Sequence, residues 1–451
     1  MTTQRPIALV WFRQDLRLAD NPSLRAALAS GASIVPVYVW APGDEGEWGA
    51  GAASRWWVHH SLTALDVSLR ALGSRLVLRR GSALKVLPEL AANIGASALF
   101  WNRRYEPAAI EIGTQLKSTL RERGVTVHSC KSALLAEPWE IRTGSGGSYR
   151  LFTPYRNTFL KQIDPPLPQS APSQLPAPPK WPASLELASL ELLPGIAWDK
   201  GLADSWTPGE AGAQMRLREL PQRLPAYRDA RDVPATPGTS RLSPHLHFGE
   251  VSPAQVWHAV GSAEQARGLP RSEWRHSKFL AELIWREFAA QALYHAPTLP
   301  TQPFQAQFAK LKWRESPDDL GAWQQGRTGV DIVDAGMREL WETGWMHNRM
   351  RMICASFLVK NLLVPWQHGA RWFWDTLVDA DLANNSLNWQ WIAGSGPDAA
   401  PWFRVFNPLR QAERFDPDGA YQARWTRRAA ALLPPFDAER SRTGALEAYR
   451  E

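Results

Sequence analysis

Residues 164–182, DPPLPQSAPSQLPAPPKWP, carry eight prolines in nineteen positions. Such a stretch can be neither a helix interior nor a central strand, because proline fixes φ and lacks the N–H that both ladders need. It must run extended over a surface, and it divides the chain into two dissimilar parts. Before it, short apolar runs at 7–12, 34–40, 75–78, 98–101 and 125–129 alternate with segments of helical period. Strands alternating with helices predict a parallel, doubly wound sheet. Beyond about Trp206 the strand pattern stops, and stretches such as 277–294 and 330–363 repeat apolar residues at helical spacing. The expected architecture is an α/β N-terminal domain over 1–135, an extended proline-rich connector over 136–205 and an all-α C-terminal domain over 206–451. No internal repeat is visible.

A chain of 451 residues exceeds what one core serves, which suits two packed units. No apolar run approaches the roughly 18 residues of a membrane span, so a soluble chain without a membrane partner is expected. The start, MTTQRPIALVWFRQDLR, has an apolar stretch broken by Arg13 and no small-residue cleavage site, so it reads as a first strand. Two distant cysteines, Cys130 and Cys354, offer neither a disulfide framework nor a cysteine metal cluster, which points to a reducing, cytoplasmic setting. The formal charge of +7 suits a nucleic-acid partner, yet only 15 of the 51 basic residues fall in 1–130, beside 10 acidic ones, so no basic arm stands out. A binding face must be assembled by folding. The 24 tryptophans are costly unless they pack a core or do chemistry, and many lie between Trp274 and Trp402.

Several segments bear chemistry. In GTSRLSPH from Gly238, a glycine turn leads into hydroxyls and an arginine before a helix, which serves equally as an ordinary N-cap or as an anion-binding turn. In ELIWRE from Glu282, offsets of three and four place Glu282, Trp285 and Arg286 on one helix face, as an amphipathic helix also would. Arg351 and Asp379 suggest a buried pair, either structural or facing a polar ligand. GSGPDA at Gly394 has the glycine spacing of a dinucleotide turn, but no strand precedes it, and it is set aside. His245 and His247 lack a third ligand nearby, so no metal is expected.

Taken together, WFRQDLRLADNPSL from Trp11, GTSRLSPHLHFGEVSP, ELIWREF, TGVDIVDAGMRELWETGWMHNRMRMICASFLVKNLL and DADLANNSLNWQWIAGSGPDAAPWFRVFNP resemble the photolyase and cryptochrome family along almost the whole chain. The resemblance implies noncovalent FAD in the helical domain, held by Tyr227, Thr239, Ser240, Arg241, Leu242, Ser243, Phe279, Glu282, Arg286, Asn348, Arg351, Phe373, Asp379, Asp381 and Asn385. It implies catalysis by electron transfer: reduced FAD, excited by blue or near-ultraviolet light, lends an electron to a pyrimidine dimer and recovers it. Glu282 matches the residue that hydrogen-bonds the dimer, Trp285 the ring that packs on it, and Asn385 the amide facing the flavin N5. Trp389, Trp366 and Trp313 match a chain that reduces oxidised flavin under light. Arg231, Arg286, Arg349 and Arg404, with Trp285, match positions contacting damaged DNA, and a monomer is expected.

An antenna chromophore, a folate (methenyltetrahydrofolate) or a deazaflavin, is usual in the family. The matching reaction is that of a cyclobutane pyrimidine dimer photolyase; the alternative is a cryptochrome-type photoreceptor without repair. Relatives that act on (6-4) photoproducts carry two histidines where this chain has Asn348 and Met352, neither a general acid near neutral pH. His347 is one residue away, a rotation of about 100° on a helix.

Overall fold

The computed structural model describes residues 5–399, 401–426 and 430–450. Strands β1 (Ile7–Phe12), β2 (Ser33–Trp40), β3 (Val77–Arg80), β4 (Ala96–Asn102) and β5 (Thr126–Cys130) form one parallel sheet in the order β3-β2-β1-β4-β5. Both faces are covered, which is why β1 and β2 read as unbroken apolar runs instead of alternating ones. Leu9, Val35, Val37, Leu99 and Trp101 pack under the helices Ala83–Ile94 and Pro107–Glu122. Ala8, Val10, Phe12 and Ile34 pack under Trp56, Trp57 and Leu62 of the Ala52–Ala71 helix. The strand order reverses between β1 and β4, and a crevice opens there at the strand carboxyl ends.

The proline-rich segment straps the α/β unit. Ile34 N donates to Pro176 O at 2.7 Å, and Leu185 N to Leu78 O at 3.1 Å on the free edge of the sheet. Leu175, Leu190 and Leu192 fill one face of the same core. The span 136–205, expected to be extended throughout, differs: Phe152–Gln162 and Lys200–Ser205 are α-helices and Leu187–Leu190 is a 3-10 turn, of which the first is the longest. Phe152, Tyr155 and Phe159 recur at three- and four-residue spacing, and this stripe packs on Trp257, Phe288 and Trp285 of the helical half.

The helical half is built around two cores. One gathers Leu280, Ile284, Phe288 and Leu293 of the Lys278–His295 helix. The other gathers Trp323, Val333, Ile353, Trp366, Phe373 and Trp389. The seam between the halves combines an apolar part, where Trp57 meets Trp206 and Phe248, with polar ties: Glu210 accepts the Leu18 and Ala19 N–H groups, and Glu287 accepts those of Leu135 and Ala136. At Gly249, φ +63°, a Cβ would lie 2.2 Å from the Gln14 carbonyl oxygen, so glycine alone lets the two halves approach this closely. No described helix is long and apolar enough to cross a membrane.

Candidate functional site

The 238–243 turn is strained. A Cβ on Gly238 would meet the Ala230 carbonyl oxygen at 2.2 Å, and Arg241, which is not glycine, holds φ +54°. Left-handed backbone costs a residue with a Cβ about 1 kcal/mol or more, so something must be gained from it. The turn lays the Arg241 guanidinium over Trp206 at 4.2 Å and Trp345 at 5.1 Å. Its Nε is buried without a partner, and among the described residues no carboxylate pairs with it. Burial lowers its pKa to about 10, which still leaves it charged near neutrality. Thr239 and Ser240 beside it are half-buried, Leu242 is the buried anchor, and Ser243 accepts a bond from Trp345 Nε1 at 3.3 Å. An unpaired cation among hydroxyls suits a phosphate-bearing ligand.

Arg351 and Asp379 form the expected pair, Nη2 lying 3.0 and 2.8 Å from the two carboxylate oxygens, with Nε on the Met346 carbonyl. Asp381 caps the Leu382–Ala393 helix through the Asn384 N–H. Burial pushes its pKa up, but His247, Arg286 and the capped N–H outweigh this and hold it far below the usual range. One turn on, Asn385 Nδ2 donates to the Ala370 carbonyl at 2.9 Å, which leaves Oδ1 as the atom it can present to a ligand N–H.

Helix Lys278–His295, begun by the Ser277 cap, carries the next wall. Glu282 Oε1 lies 2.5 Å from Arg231 Nη1 and 2.8 Å from Lys278 Nζ. Trp285 stacks on Phe152 at 3.7 Å, 8° from parallel, a partner supplied by the unexpected helix. Tyr227 meets Phe279 edge to face at 4.9 Å. The next residue after Arg231, Asp232, pairs with Arg349 at 2.9 Å, so the segment after Tyr227–Ala230 bridges this helix to Asn348–Ser356. Asn348 is exposed at the start of that second helix, with Met352 one turn on and Arg349 over Phe415 at 4.2 Å.

The four arginines assigned to DNA do not share one surface. Arg404 is exposed, and its backbone is held by buried Lys360, whose Nζ donates to the Arg404 carbonyl at 3.1 Å. Arg231 is buried. Arg286 donates to the Ala133 carbonyl at 2.6 Å and lines a pocket in the interdomain seam with Gln14, Arg104, His247 and Asp381. The switch-point crevice beside that pocket shares Gln14, Arg104 and His247 with it and adds Arg13, Tyr38, Glu45 and Trp374.

Trp389 and Trp366 are buried in one core, with Trp313 packed at its rim. A Cβ on Gly369 would strike the Trp389 ring at 2.1 Å, so Trp389 lies on the Trp366–Thr376 helix one turn from Trp366. The recorded ring neighbours of Trp389 are Phe373 at 5.0 Å and Trp323 at 6.2 Å, and that of Trp313 is Trp402 at 6.0 Å. Gly394, φ +79°, ends the Leu382–Ala393 helix, which accounts for the glycine spacing set aside above. His245 is held by Glu250, which also accepts bonds from Trp57 Nε1 and Gly209 N.

Two family models match: the FAD binding domain of DNA photolyase over residues 279–438, and DNA photolyase over 8–173. These place the chain among two-part flavoproteins in which an α/β unit is docked on a helical FAD domain. A deoxyribodipyrimidine photo-lyase of Agrobacterium fabrum is 46% identical over 94% of this chain and 88% of its own length. Cryptochrome-1 of Arabidopsis thaliana is 37% identical over 93% of this chain and 62% of its own length. The crystal structure of a bacterial class III photolyase from Agrobacterium tumefaciens superposes with a TM-score of 0.94 at 42% identity, covering 100% of this chain and 98% of that one. The chain belongs to the DNA photolyase and cryptochrome family.

Proposed function

We propose that this protein is a light-driven DNA photolyase that splits cyclobutane pyrimidine dimers. The observation that carries the reading is the wall formed by Glu282, braced by two cations, and Trp285, braced by Phe152, linked through Arg231, Asp232 and Arg349 to a helix whose Asn348 and Met352 are not general acids. The residues fit FAD: Arg241 has an orphaned buried Nε for a phosphate, and Asn385 is tethered so that its oxygen can accept a ring N–H. When bound and reduced, FAD supplies the light-excited electron that opens the cyclobutane ring. Arg241, Thr239, Ser240 and Ser243 hold the diphosphate; Asn385, Arg351 and Asp379 orient the ring system; Tyr227, Phe279 and Phe373 pack near it. Glu282 holds the lesion by hydrogen bonds, and the Trp285 face excludes water beside it. The lesion leaves the duplex to reach them, at a cost of a few kcal/mol that is smaller for a poorly paired base.

His347 does not substitute for the missing acid, because it is buried and its Nδ1 accepts the Arg349 N–H. The switch-point crevice is where a second chromophore, folate or deazaflavin, is expected to sit. The two free thiols, Cys130 and Cys354, support reducing surroundings, and the protein is taken to act as a cytoplasmic monomer. The 37% identity to a plant cryptochrome keeps one second reading, a photoreceptor on the same flavin site. Illumination of the reduced protein with each lesion in matched oligonucleotides decides: restoration of the cyclobutane dimer alone is expected. Restoration of the (6-4) product overturns the substrate, and restoration of neither leaves the photoreceptor.

A further inference from the structure

His347 is a buried imidazole at the junction of three functional segments. Its backbone N–H donates to Glu339 Oε2 at 3.1 Å, and that oxygen also accepts the Tyr421 hydroxyl at 2.6 Å, so the residue is tied to the core. Its Nδ1 accepts the Arg349 N–H at 3.2 Å and caps the Asn348–Ser356 helix. An imidazole can accept at Nδ1 only when that atom carries a lone pair, which puts the proton on Nε2 in the neutral ring. Nε2 is buried and faces the Arg231 carbonyl without reaching hydrogen-bond geometry. Burial, followed by the nearby Arg231 and Arg349 acting against Asp232, lowers the ring's pKa to about 4, so the capping form persists at physiological pH.

We propose that His347 is a positioning residue: as a neutral, Nε2-protonated cap it holds the first turn of the Asn348–Ser356 helix against the Arg231–Asp232 segment. This fixes Arg349 and Asn348 relative to the Arg231–Glu282 pair. The geometry behind it is a chain of three contacts. His347 binds Arg349 through the backbone, Arg349 binds Asp232 through the side chain, and Arg231, adjacent to Asp232, binds Glu282. Without the cap, the Arg349 N–H loses its acceptor, and the turn that carries Arg349 and Asn348 is free to fray.

Asparagine and glutamine separate the two ring nitrogens, because an Asn amide reaches where Nδ1 lies and a Gln amide where Nε2 lies. The direct readout is hydrogen exchange of the 348–350 amides in the full-length holoprotein. His347→Gln and His347→Leu are expected to exchange faster there, and His347→Asn at the wild-type rate. The second readout, which rests on the DNA-binding reading, is the log–log salt slope for a dimer-containing duplex. It is expected to fall by up to about one unit in the Gln and Leu variants and to be restored in Asn. FAD content reports global damage, and if His347→Leu does not fold, the Asn and Gln pair still decides. Wild-type exchange in His347→Gln, or equal loss of protection in Asn and Gln, overturns the proposal. Faster exchange in His347→Gln with an unchanged salt slope, and no change of slope in Arg349→Gln, leaves the cap standing and removes Arg349 from the DNA contacts.

Discussion

Arg17 in the α/β half and Arg241 in the helical half are both arginines taken largely out of water, and they are treated in opposite ways. Arg17, 1% exposed, donates to the Gly249 and Asp20 carbonyls and to Ser132 Oγ. Arg241 sits on two indole rings with a buried Nε that meets nothing, on backbone bent to φ +54°. A buried cation whose donors are all used closes a structure, whereas one left open on strained backbone belongs to a ligand. The contrast extends to the aromatic residues. Trp56 and Trp57 fill the α/β core, and Trp57 Nε1 is tied to Glu250, whereas Trp389 and Trp366 sit beside the proposed flavin site.

The largest expected effect tests the tryptophans. Trp366→Phe keeps an aromatic ring in the core but removes the proposed relay, so photoreduction of oxidised FAD is expected to be all but abolished while repair by chemically reduced enzyme persists. Trp57→Phe is expected to do the reverse, leaving photoreduction intact and costing about 1–3 kcal/mol of stability. Flash photolysis and thermal melts of both variants make the comparison, and photoreduction at the wild-type rate in Trp366→Phe sinks the relay.

The arginines come next. Arg17→Met strands at least three acceptors at the seam and is expected to cost about 3 kcal/mol or more. Arg241→Gln removes a cation with no partner, so the flavin-free chain should change by no more than about 1 kcal/mol. FAD affinity should fall roughly ten- to a hundredfold, the worth of a charge-assisted bond. Equal destabilisation of the flavin-free chain by both changes would erase the distinction between seam and site.

The seam also carries a titratable group. Glu287 is buried against the Leu135 and Ala136 N–H groups, and burial raises its pKa to about 7, against the opposing pull of Arg286 and these bonds. A carboxyl group with a raised folded-state pKa binds more protons folded than unfolded. Its contribution is full below about pH 4.5 and is lost as pH rises to about 7, a range worth at most ~3 kcal/mol. Glu287→Gln should flatten that part of the stability profile in chemical denaturation. An identical slope in wild type and variant means that another group titrates.

How much of this was legible in the sequence depended on whether a residue acts through a repeated pattern or through a single contact. The strands were readable because a doubly covered parallel sheet leaves apolar runs, although β3 proved to be Val77–Arg80 where the run had pointed to 75–78. The Phe152–Gln162 helix was obscured by the proline-rich stretch that follows it and by the lack of a side-chain cap, although the Phe152, Tyr155, Phe159 spacing was there to be counted. The residues of the site were named from motifs that resemble the family. The strain at Arg241, the stacking of Trp285 on Phe152 and the capping by His347 were not visible, because each depends on a partner distant in sequence or on a backbone angle that residue identity does not specify.

The smallest effect sharpens the comparison most, because it sorts arginines that the sequence treated alike. Four phosphate contacts would give a salt slope of about −3 to −4 on duplex DNA. The structure spends Arg286 on the Ala133 carbonyl in the interdomain seam and buries Arg231 against Glu282, which leaves exposed Arg404 and half-buried Arg349, whose ion-pair partner Asp232 is itself open to solvent, as the two counted on phosphates. A slope near −2 is therefore expected. Arg404→Gln should remove about one unit of it, a loss of roughly fourfold in the affinity ratio between 50 and 200 mM salt. Arg286→Gln should leave the slope unchanged while loosening the seam, since its guanidinium already has a carbonyl acceptor within the protein. A wild-type slope of −4, with one unit lost in each arginine variant, would mean that DNA draws Arg231 and Arg286 out of their internal contacts. The line between closed and open cations would then hold only for the DNA-free protein.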